Sequence, residues 1–194
     1  MVHSGHFLYI MIIEIGTSDF RTNAGVLGGI YIEPVKYYYD RLPDNCIKEN
    51  VAISNYNGTA MMYYIPLKVI EDNKLPNWLR GCNSIGKIHP TVVKMGLSKY
   101  VVKQSVEVLR CKDIIDKYNL LEIDLLKIDT EGHDCIIIND YLDTVDIMPD
   151  NIMFENNVLS NQLEVHNTVD RLTYLGYVCE YVGNDVVCKI NKHE

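Results

Sequence analysis

The chain has 194 residues, enough for one domain with a real core, and 47% of them are hydrophobic, which excludes a disordered polymer. Its formal net charge of -8 excludes broad nucleic-acid binding, which needs clustered Lys and Arg. It leaves room for a small ligand held by backbone N–H groups.

The first apolar run, Phe7 to Ile13, is too short to cross a membrane. No basic segment precedes it and no small-residue cleavage site follows, so it is not read as a signal peptide. It runs into Glu14-Ile15-Gly16, as a buried parallel strand does. A glycine-rich connector leads to "IYIEP", a second strand that also ends on an acid. "VKYYYDRL" is a short helix before Pro43, "NCIKENVAIS" a third strand, and "TAMMYYIPL" a fourth. Asn57-Gly58-Thr59 fits a glycosylation sequon, but the hairpin-turn reading of Asn-Gly is preferred. From Glu71 to Lys99 the pattern fades, and a long ordered loop carrying the only Trp is expected.

Periodicity returns with the strand "KQSVEVLR", the helix "CKDIIDKYN", the strand "EIDLLKID" and the helix "EGHDCIIINDYLD". "DNIMFEN" is a strand and "SNQLEVHNTVDRLTYLG" a helix, with Leu159, Leu163, Val169 and Leu172 on one face. Asn161 with Glu164 resembles a capping box, and Gly176 is the stop. "YVCEYV", "GND" and "VVCKI" make a terminal hairpin.

This alternation predicts an α/β fold: one mainly parallel sheet with helices on both faces, in a single domain over 1–194. None of the six cysteines forms a Cys-x-x-Cys pair, so a structural zinc site has no support. All six are expected as reduced, core-packed thiols, which suits a cytoplasmic setting. Heavy use of Lys, Asn, Ile and Tyr suits an AT-rich genome, such as that of a protist or large virus, and for a virus the compartment is the host cytoplasm.

Four predicted strands end on acids: Glu14, Glu33, Asp129 and Glu155. A buried strand can stop on a carboxylate where its tip borders a wet cleft, and open α/β sheets bind ligands there. Glu33 is placed to accept hydrogen bonds from the ribose hydroxyls of a nucleoside cofactor. Gly16 is where backbone passes close to that cofactor. The loop lacks the Gly-x-Gly-x-x-Gly of a pyrophosphate-binding dehydrogenase, and Thr17, Ser18 and Asp19 suit a cofactor without pyrophosphate. Asp19 stays open between a contact to an amino group and a helix N-cap.

"IEIGTSDF", "IYIEP", "NVAISNYNGTAMMYY", "LLKIDTEGHD" and "IMFEN", in that order and followed by the closing hairpin, resemble the FkbM-type S-adenosylmethionine-dependent methyltransferases. The resemblance runs from about Ile12 to Ile190. It implies the class I methyltransferase (Rossmann-like) three-layer sandwich, with a seven-stranded sheet whose last strand is antiparallel. It implies S-adenosylmethionine as cofactor, with Glu14 in the first motif, Gly16 and Thr17 at the methionine part, Glu33 at the ribose and Val51 and Ala52 by the adenine. Asp129 would stand at the reacting centre.

A hydroxyl acceptor must lose its proton, and Asp129 or His133 is the candidate base. A magnesium variant with Asp129, Glu155 and Asn156 is weighed below the metal-free reading. Lys127 is expected in a structural ion pair with Glu155 or Glu131. Trp78, Arg80 and His89 are candidate acceptor contacts in the long loop. The expected reaction is O-methylation of a sugar, glycan or small hydroxylated metabolite, with neither nucleic acid nor membrane as partner. The family's helical segment before the first strand has no counterpart here, so a homo-oligomer is one way to supply a cover. Phe20, where the family carries a glycine, keeps open the alternative of a catalytically inactive, methyltransferase-like binding protein.

Overall fold

A computed structural model describes residues 11–18, 22–24, 28–157 and 159–191. Residues 7–10 of the first apolar run, and Asp19 and Phe20, lie outside the described residues. The first half holds β1 (Ile12–Ile15), β2 (Ile30–Ile32), α1 (Lys36–Tyr39), β3 (Ile47–Glu49), β4 (Ala52–Ile53), β5 (Gly58–Tyr64), α2 (Leu67–Asp72), β6 (Ser84–Ile85) and α3 (Pro90–Lys94). The second half holds β7 (Val102–Leu109), α4 (Cys111–Tyr118), β8 (Leu125–Ile128), α5 (Asp134–Thr144), β9 (Asn151–Glu155), α6 (Gln162–Tyr174), β10 (Tyr177–Val182) and β11 (Asp185–Ile190).

The main sheet has seven strands in the order β10-β11-β9-β8-β1-β2-β3. The five from β9 to β3 run parallel, and β11 inserts antiparallel between β9 and β10. This is the mainly parallel sheet with a closing antiparallel hairpin that the sequence leads one to expect. Alternate residues of its strands, Ile13, Ile15, Ile30, Ile32, Leu126, Ile128, Ile152 and Phe154, enter one core. That core is completed by Ile114 and Ile115 of α4, Ile137, Ile138 and Tyr141 of α5, and Val165 and Leu172 of α6. Each fully buried side chain of this kind contributes about 1.5–3 kcal/mol. The opposite face carries the buried Glu14 and Tyr31, with the connector at Asn23 bonded to both.

Several expectations are corrected. A second, four-stranded sheet exists, in the order β4-β7-β5-β6, so one sheet does not span the chain. "NCIKENVAIS" divides between the sheets: β3 ends at Glu49, and Asn50 turns its amide back to the carbonyls of Glu33 (2.8 Å) and Pro34 (3.1 Å) before β4 begins. Asn57-Gly58 links β4 to β5 without making a hairpin, because β7 lies between them.

The long loop is structured. It holds the end of α2, β6, α3 and two 3-10 turns, and its Leu79, Cys82 and Val92 cluster with Ile65 and Ile70 just before it. Pro66, Pro76 and Pro90 sit at helix starts, where a missing N–H costs nothing, so they open short helices instead of breaking them. On α6 the buried positions are Val165, Thr168 and Leu172, with Val169 packed beside them, while Leu163 is 68% exposed. Asn161 caps that helix by accepting from the N–H groups of Leu163 (3.1 Å) and Glu164 (3.5 Å).

Cys179 and Cys188 are disulfide-bonded, so the reading of all six cysteines as thiols fails for this pair. The antiparallel register sets them directly opposite each other. Cys46, Cys82, Cys111 and Cys135 are free. Among the described residues, no helix is long and apolar enough to cross a membrane.

Candidate active site

A cavity of about 370 Å³ opens at the carboxyl ends of β1, β2, β8 and β9, with Val51 and β4 along one side. Parallel strands place their tips, and the loops that leave them, around one such crevice. Gly16, Glu33, Val51, Ala52, Asp129 and His133 all line it, as do Glu131 and Glu155. Gly16 has φ +81°, and a Cβ there would stand 2.0 Å from the carbonyl oxygen of Asp129. Only glycine allows the first loop and the loop after β8 to meet so closely.

Glu33 is buried, with one carboxylate oxygen accepting from the Ser18 N–H (2.6 Å) and the other from the Val35 N–H (2.7 Å). The carboxylate thereby fixes the turn at Ser18, a non-glycine residue at φ +49°. Thr17 is buried outside the cavity lining, and its Oγ1 has no hydrogen-bond partner among the described residues. Glu14 stands apart from the cavity. Its carboxylate accepts from Lys127 Nζ (2.9 Å) and the Asn23 N–H (3.0 Å). Lys127 is thus ion-paired as expected, but with Glu14 across the β1–β8 register and not with Glu131 or Glu155.

The acids after β8 and β9 are crowded. Asp129, Glu131 and Glu155 bring carboxylate oxygens within 4.8 Å of one another. Burial, then the charges of Glu131 and Asp134, push the Asp129 carboxyl up to about 7, against the opposing pull of Lys127. Burial, followed by Asp129, Glu131 and Asp134, pushes Glu155 up to about 9. Its Oε2 is buried without a partner among the described residues. Asp134 braces the loop, accepting from the Thr130 hydroxyl (3.1 Å) and the N–H groups of Gly132 and Glu155 (both 3.3 Å). Burial, the dominant influence, raises its carboxyl to about 6 against those bonds.

Asn156 faces elsewhere: its Oδ1 accepts from Gln162 (3.0 Å), and it does not line the cavity. The oxygen trio expected with Asn156 is therefore not assembled. Glu131 occupies that place, although the expectation for it is an ion pair with Lys127. Its signal was the Glu131-Gly132 pair, which turns left-handed at φ +57° and +92° and swings the carboxylate into the cavity.

His133 is half-buried in the wall and its Nε2 lies 2.9 Å from Ser54 Oγ. Burial lowers its pKa below the usual imidazole range. From the outer segment, the half-exposed Trp78 lines the cavity with Cys82, Asn83, Ile85 and His89. Arg80 does not line it. Its carbonyl accepts from Ser18 Oγ (3.2 Å) and Asn83 Nδ2 (3.1 Å), tying the outer segment to the first loop. His89 is buried and bonds Glu131 (3.1 Å).

A family model described as "Methyltransferase FkbM domain" matches residues 14–179. No curated protein and no solved structure matches the chain.

Proposed function

Because the chain belongs to the FkbM methyltransferase domain family, we propose that it moves a methyl group from S-adenosylmethionine to a hydroxyl of a sugar, glycan or other small hydroxylated metabolite. The observation that carries this reading is the cavity at the strand tips, walled by Glu33, Asp129, Glu131 and Glu155, with no Lys or Arg among the described residues that line it. Such a wall suits a cofactor bearing a sulfonium and an ammonium group. The Gly16 contact leaves backbone, and no side chain, at the point of closest approach. Glu155 Oε2 is a buried polar atom in that wall left for a ligand to satisfy. The residues present therefore fit the cofactor.

When bound, S-adenosylmethionine supplies the electrophilic methyl group. The chain supplies position and a proton acceptor. Glu33 holds the ribose side while ordering Ser18, and Val51 and Ala52 border the adenine. Asp129, held near neutrality by burial and its acidic neighbours, takes the acceptor's proton. His133, hydrogen-bonded to Ser54, shapes the wall beside it. Trp78 offers a face on which a sugar ring can stack.

Calorimetric titration with S-adenosylhomocysteine tests the cofactor site. Tritium transfer from labelled S-adenosylmethionine to methyl glycosides, with and without chelator, then tests turnover. The expected result is saturable binding and chelator-insensitive transfer. Binding without transfer would favour the inactive binding protein, and no binding by folded protein would defeat the reading.

A further inference from the structure

His89 belongs to the outer segment and Glu131 to the loop after β8, so their hydrogen bond joins two separately built parts of the cavity wall. The ring's protonation follows from its contacts. His89 Nδ1 accepts from the Thr91 N–H (3.2 Å) as the N-cap of α3. Nδ1 therefore carries no proton in the neutral ring, and the proton lies on Nε2, which donates to Glu131 Oε2 at 3.1 Å. The imidazole is 3% exposed, so the bond is shielded from water. The carboxylate it grips stands on a non-glycine residue at φ +57°, a strained arrangement that persists only when its surroundings hold it.

We propose that His89 is a positioning residue for methyl transfer: its Nε2–H fixes Glu131 beside Asp129, and so locks the acceptor-side wall to the reacting centre. This rests on the methyltransferase reading of the site. It replaces the expectation that His89 touches the acceptor itself. Among the described residues, Glu131 faces Asp129 at the tip of β8, Glu155 at the tip of β9 and the Cys82 thiol besides His89. Without the His89 donor, repulsion from the ionised Asp129 carboxylate favours swinging Glu131 out of the wall.

Two substitutions in the full chain separate positioning from capping. Asn at 89 overlays Nδ1, so His89→Asn keeps the cap on Thr91 but cannot reach Glu131. Gln overlays Nε2, so His89→Gln keeps the donor and loses the cap. Amide hydrogen exchange at Thr130, Glu131 and Gly132 is read together with S-adenosylhomocysteine affinity and tritium transfer to methyl glycosides.

His89→Asn is expected to speed exchange at Glu131 and Gly132 about tenfold. Transfer should fall about tenfold or more while S-adenosylhomocysteine affinity stays within about twofold. His89→Gln should restore both. The opposite ranking, with Asn wild-type-like and Gln impaired, would reduce His89 to a helix cap and overturn the proposal. So would unchanged exchange in His89→Asn. Failure of the wild type to bind S-adenosylhomocysteine would instead strike the methyltransferase reading, while the exchange pattern still judges the hydrogen bond.

Discussion

Replacing Gly16 with alanine places a methyl group where the chain has no room. The added Cβ would lie 2.0 Å from the Asp129 carbonyl oxygen, 2.9 Å from its carbonyl carbon and 3.2 Å from Thr130 Cγ2. Ordinary contact begins near 3.4 Å, so the two loops must part by more than an ångström. They resist, because the Asp129 N–H bonds the Ile15 carbonyl (3.0 Å) and the Gly16 N–H bonds the Ile32 carbonyl (2.9 Å). A left-handed alanine costs about 1–2 kcal/mol, and forcing extra volume into packed structure costs about 1–3 kcal/mol more. The expected loss of stability is therefore about 2–5 kcal/mol, read as a lower midpoint in urea at constant slope. Because Gly16 and Asp129 both line the cavity, S-adenosylhomocysteine affinity should fall at least tenfold in protein that is still folded. A loss below about 1 kcal/mol, with wild-type affinity, would refute the claim that this glycine sets the closest approach in the site.

Glu33→Gln leaves one of the Ser18 and Val35 N–H groups facing an amide NH₂, which should cost about 1–3 kcal/mol and weaken cofactor binding about tenfold. Isothermal titration checks it, and unchanged affinity would remove Glu33 from the ribose site. Asp129, Asp134 and Glu155 have raised carboxyl pKa values of about 7, 6 and 9. The folded protein thus binds more protons than the unfolded chain between about pH 4 and 9, so stability should fall as pH rises through that window. Thermal midpoints of ligand-free protein at pH 5, 7 and 9 should descend, less steeply in Glu155→Gln; a rising series would contradict the crowding of these acids. Alkylation of unreduced, denatured protein should label Cys46, Cys82, Cys111 and Cys135 and spare Cys179 and Cys188. Labelling of all six would show the pair reduced.

The disulfide was within reach of the sequence. A two-residue turn at Gly183-Asn184 pairs Val182 with Asp185, and counting back along that register brings Cys179 opposite Cys188. Composition alone favoured thiols because it ignores register. Glu131 was harder to find. Its role depends on a left-handed backbone and a histidine 42 positions away, and neither leaves a periodic trace.

What the sequence determined by itself is local. Apolar runs of strand length, acids at their ends, one glycine after β1 and the closing hairpin are written in consecutive residues. They were enough for the parallel sheet and for placing Gly16, Glu33 and Asp129 at one crevice, where the family resemblance added Val51 and Ala52. Tertiary structure alone decided which acid faces which neighbour. Glu14 and Asp129 both belong to motifs at strand ends, yet Glu14 points to the face where Lys127 neutralises it, while Asp129 lies past the last paired residue, in the cavity. Lys127 and Asp129 are two residues apart, so alternation gives them the same face; what separates them is that Lys127 lies inside the paired strand, against Glu14, while Asp129 lies beyond it at the tip that borders the cavity.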